Sequence, residues 1–245
     1  MKDQKNLKIK IKTGEEFLLD DTRIAVWERF IPYKKNESFF KHYNRILQKG
    51  GFYDSLTKRT KMWSLANILE KIIKKNPNYN VAECGCFKGL STYIMAKILE
   101  ENNFSQEFFV FDSFEGFPDL TEHDYKGITN SPYKKGSFSI SEKKFRDNVG
   151  DFNFMNVKKG WIPECFENIT RKNFCFVNID VDIYQPTKDS LDFFYPRLVE
   201  GGCIHIDDYN FREWPGCYKA VKEFEEKTKP AFSYEIPLGG YFLIK

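Results

Sequence analysis

The sequence predicts an α/β fold: a mostly parallel sheet with helices on both faces and an antiparallel closing pair of strands. Three observations carry this expectation. Short apolar runs alternate with amphipathic stretches from residue 80 onward, and several of those runs end in an acidic residue. The last two runs, 232–236 and 241–244, are separated by a short turn holding Gly239-Gly240. Apolar strands that alternate with helices imply a parallel sheet buried on both faces. A turn of that kind between two late runs implies an antiparallel pair.

Each element follows from its local pattern. Residues 1–55 mix charged and aromatic side chains without strong periodicity, which predicts a flexible start and then one or two short helices. Trp63, Leu65, Ile68, Leu69 and Ile72 recur at helical spacing, so an amphipathic helix covers 61–73 and ends at Asn76-Pro77. The first strand is 80–84, and the helix behind it is 90–101. Further strands are expected at 107–112, 152–157, 174–180 and 203–207. The helix between the last two begins near Pro186, a residue suited to a first helical turn, and stops at Gly201-Gly202. Segment 113–141, rich in Gly, Pro, Tyr and Lys, is longer than a connector needs and reads as a lid or as a disordered loop. The domain division expected is an N-terminal segment at 1–55, acting as a cap or an oligomer contact, and a main domain at 56–245.

Composition narrows the function classes. Lys and Arg total 38 against 35 Asp and Glu, and a net charge of +3 lacks the basic footprint of a nucleic-acid binder. No apolar run is long enough to span a bilayer, and the opening MKDQKNLKIKIK lacks the apolar core of a signal peptide. A cytoplasmic protein is expected. Cys84, Cys86, Cys165, Cys175, Cys203 and Cys217 show no zinc spacing, so reduced, mostly buried thiols are expected.

The first chemical motif is VAECGCFKGLS at 81–91. Glycines after a strand let the backbone approach a ligand, and the helix start beyond them offers free N–H groups to an anion. The spacing is not the GxGxxG of nicotinamide-binding sheets, which makes an oxidoreductase a distant alternative. With an acid before the glycines, a ligand bearing both ammonium and carboxylate fits, such as S-adenosylmethionine. Glu83 would meet the cation and Ser91 the carboxylate, with Gly85 and Gly89 shaping the loop. The second motif is Asp112-Ser113, where an acid ending a strand can accept ribose hydroxyls; a turn-capping acid is the plainer reading.

The third motif joins Asn178-Ile179-Asp180-Val181-Asp182 with His205-Ile206-Asp207-Asp208. Carboxylates grouped at neighbouring strand ends repel unless a cation or protons intervene. A hard divalent ion held by Asp180, Asp207 and Asp208, Mg²⁺ by preference, is the simplest resolution, with Asp182 just behind. His205 reads more readily as a hydrogen-bonded core histidine than as a site residue.

AECGCFKGLS, FDSFEGFP, NIDVDIYQPTKDSLDFFYPRLVEGGCIHIDDYNF and PGCYKAVKEFEE together resemble the macrocin O-methyltransferase (TylF/MycF) family over roughly residues 58–228. The resemblance implies a class I methyltransferase sheet, Rossmann-like, with S-adenosylmethionine and Mg²⁺ as cofactors. It places the metal triad on Asp180, Asp207 and Asp208, and the general base on Asp180. It places the cofactor on Glu83, Gly85, Gly89, Ser91 and Asp112, with Gly160 and Trp161 on the adenine side. The implied acceptor is a sugar hydroxyl on a glycosylated or nucleotide-linked molecule or a surface-glycan precursor. The glycine loop is also similar to that of catechol O-methyltransferases. Those carry a lysine just after the first metal aspartate, where this chain has Ile183. A catechol-like acceptor and a non-catalytic adenosyl-ligand binding module are the alternatives.

Overall fold

In the computed structural model, which describes residue 33 and residues 36–125, 133–209, 215–236 and 240–245, two helices precede the sheet. Helix α1 (Glu37–Gly50) starts at Asn36, whose side chain accepts from the Phe39 N–H, and stops at Gly51 in the left-handed region. Helix α2 (Leu56–Lys75) is capped by Ser55 and runs a turn and a half earlier than its apolar periodicity suggested. The Ser55 hydroxyl oxygen accepting from Lys58 N–H at 3.1 Å fixes that start. Phe39, Tyr43 and Ile46 of α1 are buried in the same core as Leu65 and Leu69 of α2, so α1 packs as part of the main domain although it falls within 1–55. The flexible start expected before it lies outside the described residues.

Then strands and helices alternate: β1 (Asn80–Cys84), α3 (Leu90–Glu101), β2 (Phe108–Asp112), α4 (Glu122–Tyr125), α5 (Glu142–Val149), β3 (Met155–Lys159), a 3₁₀ turn (Glu164–Ile169), β4 (Phe174–Ile179), α6 (Tyr184–Arg197), β5 (Leu198–Ile206), α7 (Pro215–Thr228), β6 (Phe232–Glu235) and β7 (Tyr241–Ile244). The sheet order is β3-β2-β1-β4-β5-β7-β6. The first five strands of that order are parallel, and β7 enters antiparallel between β5 and β6. The closing pair is therefore present, while Gly239 of its connecting turn lies outside the described residues. One apolar layer joins α1, α2, α3 and α5 to one face of the sheet, and a second joins α6 and α7 to the other.

Further boundaries differ from expectation, among them the entry of β5 at Leu198 rather than at Cys203. The third strand begins at Met155 rather than at Phe152, whose ring turns instead toward Tyr93 of α3. Helix α6 ends at Arg197, next to its internal Pro196, well before Gly201-Gly202. Those glycines lie inside β5, where the strand register shifts against β4 and Gly201 N–H donates to the Lys245 carbonyl. They mark an irregular strand entry rather than a helix end. Among the described residues no helix is long and apolar enough to cross a membrane.

Candidate active site

The strand order reverses direction between β1 and β4, and α/β sheets bind ligands at that point, beyond the carboxyl ends of the strands. The loop after β1 is fixed from two sides. Gly85 has φ +80, and a β-carbon there would lie 1.9 Å from the Asp180 carbonyl oxygen, so no other residue fits. Asp112, the last residue of β2, accepts from Cys86 N–H (2.8 Å), Phe87 N–H (3.1 Å) and Phe114 N–H (2.7 Å). The acid expected to meet a ligand thus also staples the glycine loop. The Cys86 thiol also hydrogen-bonds this carboxylate, so a ligand hydroxyl would take the place of that weak donor. Gly160 N–H donates to the Asp112 carbonyl, which brings Trp161 beside it.

These residues surround a cavity of about 400 Å³, lined by Gly85, Asp112, Ser113, Gly160 and Trp161 together with Asp180 and Asp182. Phe117 and Phe138, from the two ends of the 113–141 segment, complete the wall. Phe117 N–H donates to the Ser137 carbonyl and Gly136 N–H returns to the Phe117 carbonyl, each at 2.9 Å, so the segment's ends are zipped together. Its short helix α4 is anchored as well. Asp124 accepts from Tyr184 N–H at 2.8 Å, supplying the partner that Ile183, at the N-cap of α6, lacks. Residues 126–132 of the segment lie outside the described residues. Four non-glycine residues of the region, Phe87, Phe114, Phe138 and Asp182, have left-handed backbones; such strain gathers at functional sites.

Glu83, Gly89 and Ser91 are not in the cavity wall. Glu83 is wholly buried behind the loop, accepting from the Thr92 hydroxyl (2.5 Å) and from Asn178 Nδ2 (3.1 Å). Burial pushes its carboxyl up to about 7, against hydrogen bonds from Ser91, Thr92 and Asn178. Asn178 Oδ1 in turn accepts from His205 Nδ1 at 2.7 Å. Burial drives the His205 imidazole down to about 3, so it is a neutral core histidine. Gly89 allows α5 to pack, since a β-carbon there would lie 2.2 Å from Val149 Cγ2.

β4 and β5 pair in register at Ile179 and Ile206, which sets Asp180 beside Asp207, although Asp207 and Asp208 are not themselves in the cavity wall. One carboxylate oxygen from each of Asp180, Asp207 and Asp208 can be chosen so that all lie within 4.8 Å of one another. Oxygens sharing one Mg²⁺ lie up to about 4.2 Å apart, so small rotations close the site. Burial raises Asp180 and Asp182 well above the ordinary carboxylate range, and the neighbouring carboxylates add to this. Burial also opposes charge on Asp208, but Lys61 and hydrogen bonds from Asp182 and Asp180 prevail and lower it. Asp207 Oδ1 is buried without a hydrogen-bond partner, an acceptor that a cation satisfies. The residues present fit a hard divalent ion.

Sequence reasoning missed Lys61. Its ammonium, from α2, pairs with Asp207 and lies 3.2 Å from Asp208. Burial works against its charge, yet Asp207, Asp208 and Asp180 hold it protonated, which excludes it as a base. The heptad-like spacing of α2 places residue 61 on a partly apolar face, the sole signal available.

The family model described as macrocin-O-methyltransferase (TylF) matches residues 13–232. A demethyldecarbamoylnovobiocin O-methyltransferase of Streptomyces niveus is 26% identical over 171 residues, 67% of this chain and 64% of the relative. A mycinamicin III 3''-O-methyltransferase of Micromonospora griseorubida is 24% identical over 176 residues, 67% of each chain. The matched part spans just under two thirds of the first of these relatives. Among solved structures, the O-methyltransferase NovP superposes with a TM-score of 0.67 at 24% identity, covering 76% of this chain and 80% of that one. A calicheamicin methyltransferase superposes with a TM-score of 0.63 at 15% identity, covering 96% and 99%. At these identities the likeness shows a shared fold.

Proposed function

We propose, taking as premise that the chain belongs to the macrocin O-methyltransferase (TylF) family, that it is a cytoplasmic S-adenosylmethionine-dependent O-methyltransferase acting on a sugar hydroxyl. The acceptor is a glycosylated or nucleotide-linked small molecule or a surface-glycan precursor. The observation that carries this is one cavity lined both by Asp112, Ser113 and Trp161 and by the half-buried Asp180 and Asp182. The relatives' names support the acceptor class, one of them denoting a rhamnosyl-tetracenomycin 4'-O-methyltransferase.

In this reading Asp112 accepts from one ribose hydroxyl in place of the weakly donating Cys86 thiol, beside Ser113, and Trp161 flanks the adenine. Gly85 and Gly89 let the backbone turn close under the methionine portion. Glu83 and Ser91 act from behind the loop, so an ammonium contact by Glu83 requires Thr92 or Asn178 to give way. Asp180, Asp207 and Asp208 would hold Mg²⁺, which when bound would supply Lewis acidity toward the acceptor hydroxyl. Asp180 takes the hydroxyl proton as general base. The oxygen attacks the sulfonium methyl in line, the sulfur–carbon bond breaks, and S-adenosylhomocysteine leaves. The chain's part is to align the two reactants and to exclude water with Phe117 and Phe138.

A second reading assigns the base to Asp182, because it too lines the cavity and its carboxyl hydrogen-bonds Asp208. A phenolic acceptor is disfavoured because Ile183 is buried in the core rather than presenting a lysine. The test of the acceptor class is a competition between matched sugar and catechol acceptors, following methyl transfer to each. Sugars should win in kcat/KM by at least about tenfold, roughly 1.4 kcal/mol of differential transition-state binding. Faster methylation of the catechols rejects the sugar assignment and leaves the methyltransferase reading standing.

A further inference from the structure

Lys61 occupies oxygens of two of the three carboxylates that converge as a candidate site for a divalent ion. Its ammonium pairs with Asp207 Oδ2 and Asp208 Oδ1, both at the end of β5, and all three side chains are close to nine-tenths buried. The other Asp207 oxygen has no partner and stays available. The ammonium contacts both carboxylates here, and its single charge offsets only one of them. A buried monovalent and a divalent charge on adjacent oxygens repel strongly at low dielectric. The Lys61 stem is long and unbranched, so its head can leave while α2 stays packed through Leu65 and Leu69.

We propose that Lys61 is an exchangeable internal counter-ion, which stabilises the acid centre in the metal-free chain and must be displaced when a divalent cation binds. The inference rests on the metal site proposed above and adds to it that metal affinity is set by exchange against a side chain of the protein. Removing the competitor therefore tightens metal binding, and it leaves the metal-free protein with uncompensated buried carboxylates.

Mn²⁺ binding to the full-length, metal-stripped protein, measured by calorimetry on wild type and on Lys61→Met, tests this. The variant should bind Mn²⁺ at least about tenfold tighter, since a buried charge pair removed from the competition is worth that much or more. Its melting temperature should be lower without Mn²⁺ and should gain more on Mn²⁺ addition than the wild type's does. Equal or weaker Mn²⁺ affinity in the variant overturns the exchange while leaving the metal site intact. Absence of Mn²⁺ binding to either protein overturns the metal site itself. Should Lys61→Met fail to fold, the wild type alone decides through acylation of Lys61 read by mass spectrometry. Labelling that rises with Mn²⁺ is the expected result, and labelling unchanged at saturating Mn²⁺ overturns the proposal.

Discussion

Asp180 and Asp182 stand two residues apart on one loop and differ in what an amide could replace. Asp182 has φ 61, a left-handed backbone that costs a non-glycine residue on the order of 1–3 kcal/mol, and its carboxyl hydrogen-bonds Asp208. Asp182→Asn keeps a donor for that bond, whereas Asp180→Asn keeps one possible ligand oxygen and cannot accept a proton. With saturating metal, Asp180→Asn should lose about 10²–10⁴ in kcat, the usual worth of a general base, and Asp182→Asn should stay within a few-fold of wild type. The reverse pattern in steady-state kinetics transfers the base to Asp182. Glu83 gives a pH signature of stability. Burial raises its carboxyl from 4.5 to about 7, so folding favours the protonated form. Its contribution is complete below its unfolded value and is lost as pH rises through about 7. Glu83→Gln has no such loss, so its melting temperature should gain on wild type between about pH 5 and pH 8; parallel curves across that range contradict the assignment. At this scale the acids were legible because a carboxylate ending an apolar strand is a local pattern. Lys61 was not, because its partner Asp208 is 147 residues away and a lysine on a helix ordinarily faces water.

Among the elements, the 113–141 segment is the one whose order the site depends on. Gly116 has φ +77, and a β-carbon there would come within 2.3 Å of the Ser137 carbonyl oxygen, the acceptor in the zipped pair. Limited proteolysis should cut this segment several-fold more slowly once S-adenosylhomocysteine and acceptor are bound, because ordering removes accessible backbone. Gly116→Ala should abolish that protection. Cutting rates that ignore the ligands argue that the segment is not a lid. The strands and helices around it were largely legible, since each carries its own period. The exceptions were boundaries decided elsewhere in the chain. The entry of β5 at Leu198 is set by pairing with Phe174 of β4, and the start of α6 at Tyr184 is supported by Asp124 of α4. Neither partner is adjacent in sequence, so the Gly201-Gly202 pair looked like a helix end when it is a strand irregularity.

The whole molecule places its chemistry where two halves of a parallel sheet diverge. The loop after β1, the turn after β2 and the loop after β4 line the cavity, and Asp207 and Asp208 at the end of β5 stand beside Asp180 outside its wall. This division was readable from strand-terminal acids alone, because topology converts position along the chain into position along one edge of the sheet. It also separates the proposed tasks, since the proposed metal and cofactor contacts would lie on different strands. The central claim is that methyl transfer to a sugar hydroxyl depends on a divalent ion at Asp180, Asp207 and Asp208. The most direct measurement is the initial rate of labelled methyl transfer from S-adenosylmethionine by metal-stripped protein, titrated with Mg²⁺ in the presence of sugar acceptors. The account predicts a rate near zero without metal, rising to saturation with Mg²⁺, and absent from Asp208→Ala although that variant still binds S-adenosylhomocysteine. Full turnover in excess chelator, with metal content shown to be zero, would contradict it.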